Sequence, residues 1–230
     1  MRRLIVALAL ALATAGCGTS DGPGVTVAAA ASLTEALEAL GGATFGFAGS
    51  QQLVAQVEAR APVDVVATAD TAAMDRLVRG GLVETPATFA RNRLAIAVET
   101  GNPDRIGGLA DLGRTGLKVV LADPTVPAGR YARQALDWAG VVVQPVSLEL
   151  DVKAVARKVA SGEADAGIVY VTDVGGASQV DIPEAANVVA TYPVAVVRAT
   201  GNRAGAQAWV DRLLGPAGRS ALAAHGFGLP

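Results

Sequence analysis

The chain has 230 residues, 51% hydrophobic and 17% charged, a composition that can bury a core and excludes a disordered or low-complexity polymer. Only Arg2 and Arg3 are charged before residue 18, so of the 19 basic residues 17 remain against 21 acidic ones, which makes nucleic acid a poor partner. Nine aromatic residues in total are too few for rows of stacking platforms, and this counts against carbohydrate and single-stranded nucleic acid.

Met1-Arg2-Arg3 is followed by an apolar run, Leu4–Ala13, the form of a secretory signal and not of a folded helix or a membrane span. The single cysteine, Cys17, follows Thr14-Ala15-Gly16 and resembles a bacterial lipobox, in which the cysteine is lipidated and becomes the new N-terminus. Residues 1–17 are therefore read as a lipoprotein signal peptide, and the polar, glycine-rich residues 18–24 as a tether. A lone cysteine also excludes a disulfide framework and a cysteine-based zinc site. Beyond residue 17 no apolar run reaches the roughly 18 residues of a spanning helix.

The body then alternates strands with helices. Val25-Thr26-Val27 predicts a strand, and after Ser32 the residues Leu33, Ala36, Leu37 and Leu40 share one helical face. Gly41-Gly42-Ala43-Thr44 cuts that helix short before a strand at Thr44–Phe47 and a second stripe, Leu53, Val54 and Val57. A third unit has a strand at Asp64–Thr68, Asp70 as cap, Met74, Leu77 and Val78 on one face, and Gly80-Gly81 as the stop. Lys118–Leu121 predicts a strand, Ala122–Gly129 a loop with two prolines, and Ala132, Ala135, Leu136 and Ala139 a helix. Asp151 caps a helix carrying Val152, Val155, Ala156 and Val159, Ala166–Val171 reads as a buried strand, and Ala206, Trp209, Val210 and Leu213 form the last stripe. This order argues for α/β layers with mostly parallel sheets. Two apolar strands, Arg93–Val98 and Tyr192–Val197, flank a block the size of a small domain and are candidates for crossings between two lobes.

In open α/β sheets ligands bind outside the carboxyl ends of strands, where free N–H groups of helix starts attract anions. Ser32 stands at one such start, although Ser32 and Glu35 form an S-x-x-E capping box that accounts for the serine without a ligand. Ser50 stands at a second start and is equally an ordinary cap. Val126-Pro127-Ala128-Gly129 opens the helix of Tyr131 with side chains too small for chemistry, so its backbone could meet a ligand or simply begin a proline-initiated helix. Asp151–Lys153 is first a helix start, and Tyr170 ends a buried strand as a possible phenolic donor. Catalytic signatures are thin. His225, the only histidine, sits at a helix C-terminus, no hydrolase, nucleotide or zinc motif is found, and Asp64, Asp70, Asp165 and Asp173 have no spacing that pairs them.

Val25–Leu37 (with its run of alanines before Ser32), Phe47-Ala48-Gly49-Ser50, Ala61–Val65 with Ala67–Asp70, Asn92-Arg93-Leu94, Asp123-Pro124 with Val126–Gly129 and Tyr131-Ala132, and Gly167-Ile168-Val169-Tyr170 follow in that order. Taken together they resemble the periplasmic molybdate-binding proteins of ABC importers, from about residue 25 to Gly226-Phe227-Gly228. The resemblance implies a type II periplasmic-binding fold, with two α/β lobes that are each a mostly parallel sheet flanked by helices. Residues 25–97 and 190–230 would form lobe 1 and residues 98–189 lobe 2. Carried over by motif, the ligand contacts would be Ser32, Ser50, Ala128, Val152 and Tyr170. Hydroxyl and main-chain donors would hold molybdate or tungstate as a dianion, so molybdenum enters as an oxyanion and no metal cation or cofactor is implied. Phosphate keeps a proton that such a shell cannot accept. The implied partners are a membrane permease and, through Cys17, the membrane itself. The protein would be an extracytoplasmic, lipid-anchored monomer and no enzyme. The alternatives are a receptor for sulfate or a small organic anion, an enzyme on the same scaffold, and an envelope lipoprotein that no longer binds.

Overall fold

Val27 and the alanines after it are apolar toward both faces, and they form a fully covered central strand, β1 (Thr26–Ala30). A computed structural model describes residues 24–230; the signal segment and Cys17 lie outside the described residues. After β1 the chain makes a 3-10 turn, Ala31–Leu33, before α1 (Thr34–Leu40), β2 (Thr44–Ala48) and α2 (Ser50–Glu58). There follow β3 (Val65–Ala67), α3 (Thr71–Arg79), β4 (Ala87–Val98), β5 (Val119–Ala122) and α4 (Pro127–Trp138). The second half contains β6 (Ser147–Glu149), α5 (Val152–Ala160), β7 (Ala166–Tyr170), β8 (Ser178–Asp181), β9 (Val189–Val196), α6 (Arg203–Leu214) and α7 (Pro216–Ala224).

The strands run in the order β2-β1-β3-β9-β4-β7-β5-β6, with β8 also on β4. Each end of this order is a parallel trio, β2-β1-β3 and β7-β5-β6, while β9 and β4 between them pair antiparallel to their neighbours. The long β4 serves both sets. Ala87–Arg93 lies against β9, whereas Leu94–Val98 lies against β7 and β8. The chain returns to the first set between Asp181 and Val189, upstream of the segment Tyr192–Val197, which stays with the first set throughout. Apolar alternation marks a strand but carries no information on where it changes partner.

Asp70 and Asp151 cap α3 and α5, accepting from the Ala73 and Ala154 N–H groups at 3.0 and 2.7 Å. Two stripe assignments differ: Val78 is 43% exposed, leaving Met74 and Leu77 to hold α3, and Ala139 is exposed beyond the end of α4. The short α1 ends on Gly41 and Gly42, whose φ values of 67° and 78° are left-handed and disfavour a side chain. Its last carbonyls are met from α6, by Arg212 Nη2 on Leu40 O at 2.7 Å and Trp209 Nε1 on Gly41 O at 3.1 Å. A Cβ on Gly42 would stand 2.6 Å from the Arg212 guanidinium. Gly42→Ala is therefore expected to lower stability by about 1–2 kcal/mol, read as a drop in the urea midpoint at constant slope.

Candidate functional site

Four of the loops that follow strands end in helix starts on one side of the molecule. The turn after β1 carries Ser32, α2 begins at Ser50, α4 at Pro127 and α5 at Val152, and Tyr170 closes β7. Ser32, Ser50, Ala128, Val152 and Tyr170 line one cavity, together with Gly49 and Ala69. No Lys, Arg or His is among the lining residues, and the only carboxylate there, Asp151, is engaged as the cap of α5. The first amides of α4 and α5, those of Ala128 and Val152 included, have no carbonyl within their own helix to bond.

The three hydroxyls are wired differently. Ser50 Oγ accepts from the Ala69 N–H at 3.0 Å, which leaves its proton free to donate. Ser32 Oγ lies 3.0 Å from the Tyr192 hydroxyl. The Tyr170 hydroxyl is buried and has no hydrogen-bond partner among the described residues. Burial pushes both phenols well above the ordinary tyrosine range, aided at Tyr192 by the negative charge of Asp173, so both stay protonated donors. An orphaned buried hydroxyl is costly unless something arrives to accept from it.

The capping box expected at Ser32 does not form. The 3-10 turn displaces the start of α1 to Thr34, no side chain caps either start, and Glu35 turns away to Lys153. Ser50 is likewise the first helical residue and not the cap; Gly49 holds that place, its N–H donating to Gln52 Oε1 at 3.1 Å.

Around the cavity the two strand sets are joined by polar contacts. Gln51 Nε2 donates to Leu150 O at 2.9 Å, and Arg130 pairs with Asp70. Lys153 reaches both Glu35 at 2.6 Å and Asp173 at 3.1 Å. Burial pushes the Asp173 carboxyl up to about 6 even against Lys153, whereas at Glu35 burial is outweighed by the bonds to Lys153 and the carboxyl is held below its usual range. Burial also works against the Lys153 charge, but the two carboxylates prevail and raise it. Gly49 sits at the closest approach, where a Cβ would stand 2.5 Å from Leu150 O. Of the other carboxylates, Asp64 accepts from the Thr26 N–H at 2.8 Å and Asp165 from the Lys118 N–H at 2.7 Å, both away from the cavity. The described residues contain no cluster of His, Cys, Asp and Glu that could hold a metal cation, and no helix long and apolar enough to cross a membrane.

A family model for bacterial extracellular solute-binding proteins matches residues 25–228. The chain belongs to that family. Molybdate-binding protein ModA of Mycobacterium tuberculosis is 41% identical over 217 residues, covering 88% of this chain and 83% of that one. ModA of Escherichia coli is 31% identical over 223 residues, 86% of each chain. The solved periplasmic molybdate-binding protein of Azotobacter vinelandii shares the fold, with a TM-score of 0.77 at 20% identity over 90% of this chain and 99% of that one.

This solute-binding protein thus gathers all five residues singled out from sequence around one cavity, and adds others that sequence reasoning passed over. Tyr192 looked like a member of an apolar strand and Asn92 stood only within the Asn92-Arg93-Leu94 motif, yet both are buried polar groups beside Ser32, and the signal available for Tyr192 was a phenol in an otherwise apolar run. Lys153 and Asp173 are 20 residues apart and were visible only as a helix start and a surface carboxylate. Because the fold raises the Asp173 pKa, its contribution to stability is complete below the unfolded value of about 3.9 and is lost as pH rises through about 6. Asp173→Asn, with no proton to lose, is expected to gain on the unsubstituted protein by on the order of 3 kcal/mol between about pH 4 and pH 7. Parallel pH profiles in thermal melts would assign the titration elsewhere.

Proposed function

We propose that this protein is the extracytoplasmic receptor of an ABC importer, capturing molybdate or tungstate between two lobes and delivering it to a membrane permease. The observation that carries the reading is the orphaned, buried Tyr170 hydroxyl, converging with Ser32 and Ser50 on a cavity whose lining includes no cation. Three hydroxyls and the first-turn amides at Ala128 and Val152 form a shell of neutral donors, which spreads the charge of a dianion over dipoles without an opposing ion. Kinship with ModA proteins supports molybdate as the occupant. Capture involves no bond making or breaking, so the protein acts as a carrier and not as an enzyme.

In this reading residues 25–97 with 190–230 form one lobe and 98–189 the other, and the contacts of Gln51, Arg130 and Lys153 hold them closed over the anion. Cys17 anchors a monomer to the membrane through a lipid, with 18–24 as tether. Molybdate, tungstate and sulfate are fully deprotonated and need only donors, while phosphate at neutral pH brings a proton with no acceptor to receive it. Sulfate then differs from molybdate only in size.

Thermal unfolding of the protein from Gly18 with each of the four anions tests this directly. A ligand at a hundred times its dissociation constant adds about 2.7 kcal/mol, a rise of roughly 5–11 °C for a chain of this size. Molybdate and tungstate are expected to give it and phosphate none; no rise with any of them, from a protein that melts cooperatively, would end the oxyanion reading. Ser50→Ala should weaken molybdate binding by about 1–3 kcal/mol. Gly49→Ala is expected to lower molybdate affinity at least tenfold in calorimetric titration, because its methyl group would stand 2.5 Å from Leu150 O, a backbone atom that cannot swing aside as the neighbouring Gln51 amide can.

A further inference from the structure

The donor shell requires each hydroxyl to spend its proton on the anion, yet Ser32 also bonds Tyr192, and a serine that donated to the phenol would turn a lone pair toward the cavity. What favours one direction of that bond lies one residue further out. Asn92 is buried on β4 at the point where the strand changes partners. Its carbonyl oxygen Oδ1 accepts from the Arg93 N–H at 2.9 Å, which fixes the amide orientation and turns Nδ2 the other way. Nδ2 then donates to Thr172 Oγ1 at 2.9 Å and, more weakly, to the Tyr192 oxygen at 3.4 Å. With the amide proton on one lone pair of its oxygen, the phenol has its own proton to give, and Ser32 Oγ at 3.0 Å stands within hydrogen-bond distance to take it. In that arrangement the serine proton is left for the cavity.

We infer that Tyr192, oriented by Asn92, is a specificity-determining positioning residue: it donates to Ser32 so that the serine hydroxyl faces the bound oxyanion as a donor and rejects anions that carry a proton. The inference rests on the oxyanion reading above. The ring is held for this task by edge-on packing against Tyr170, Phe89 and Phe227, with centroids 5.9, 6.3 and 5.5 Å away. The other branch runs the same way, Thr172 accepting from Asn92 and donating to Asp173 Oδ2 at 3.2 Å. Ser50 reaches the same state by a simpler route, with the Ala69 N–H in the place of the phenol.

Removing the phenol oxygen makes Ser32 a free rotor able to donate or accept. Calorimetric titration of molybdate and of phosphate at pH 8, where phosphate is a singly protonated dianion, is therefore made on four proteins: unsubstituted, Tyr192→Phe, Ser32→Ala and the double variant. Tyr192→Phe is expected to weaken molybdate about tenfold and to narrow the molybdate-to-phosphate ratio. In the Ser32→Ala background the same substitution is expected to change neither. Equal losses in both backgrounds would mean that Tyr192 acts through packing, and would overturn the inference while leaving the oxyanion reading intact. Absence of molybdate binding by the unsubstituted protein would overturn both. Should Tyr192→Phe fail to fold, Asn92→Leu removes the amide donor and is expected to shift the ratio in the same direction; an unchanged ratio there would equally overturn the assignment.

Discussion

β4 pairs with β9 along its first half and with β7 and β8 along its second, and this shared strand turns two sets of helix starts toward each other. A helix start has amides that its own helix cannot satisfy. Two layers of such starts facing across a gap make a place where buried donors outnumber acceptors. The structure tolerates it because each start sits at the end of a strand whose hydrogen bonds and apolar side chains already hold it, as Tyr170 is held by β7 against Leu94 of β4. The stability of the sheets thus supports a cavity that stabilises nothing by itself.

The chemistry of the cavity follows from what the chain leaves out. A dianion could be balanced by lysine or arginine, but a buried cation would have to be desolvated and paired before any ligand arrived. Neutral hydroxyls and amides escape that cost, and their selectivity lies in the direction of each proton. In this protein that direction is set by groups behind the lining: an amide N–H for Ser50 and a phenol steered by an asparagine for Ser32. The basic groups stay out of the lining: Lys153 and Arg130 tie one strand set to the other through carboxylates and leave the cavity without a cation. Lys153 stands between a half-exposed carboxylate and a buried one, and the two respond to it oppositely because burial governs Asp173 while the ion pair governs Glu35.

Much of this was legible in the residues. The strand and helix order, the caps Asp70 and Asp151 and the glycine pair that ends α1 were read from local pattern, because capping, apolar period and left-handed turns are local physics, whereas the five lining positions were implied only by the resemblance to molybdate-binding proteins. Where local reading went astray, a local turn and a distant partner were both responsible. Ser32 and Glu35 have the spacing of a capping box, but a 3-10 turn between β1 and α1 takes the serine out of register, and Lys153 offers the glutamate a stronger partner than an amide.

Long-range pairing decided the rest. Periodicity could say that 192–197 is a strand, but which neighbours it takes depends on competing edges elsewhere in the sheet. Tyr192 read as an ordinary strand residue, and only the packing of β9 beside β4 brings its phenol to Ser32, 160 residues away in sequence. The sequence by itself determined that the chain would fold as alternating α/β layers with caps and stops at its helix ends, since period and capping act within a few residues. The tertiary structure alone decided that the helix starts meet in one cavity and which partner stands behind each serine hydroxyl, since such partners are brought together only on folding.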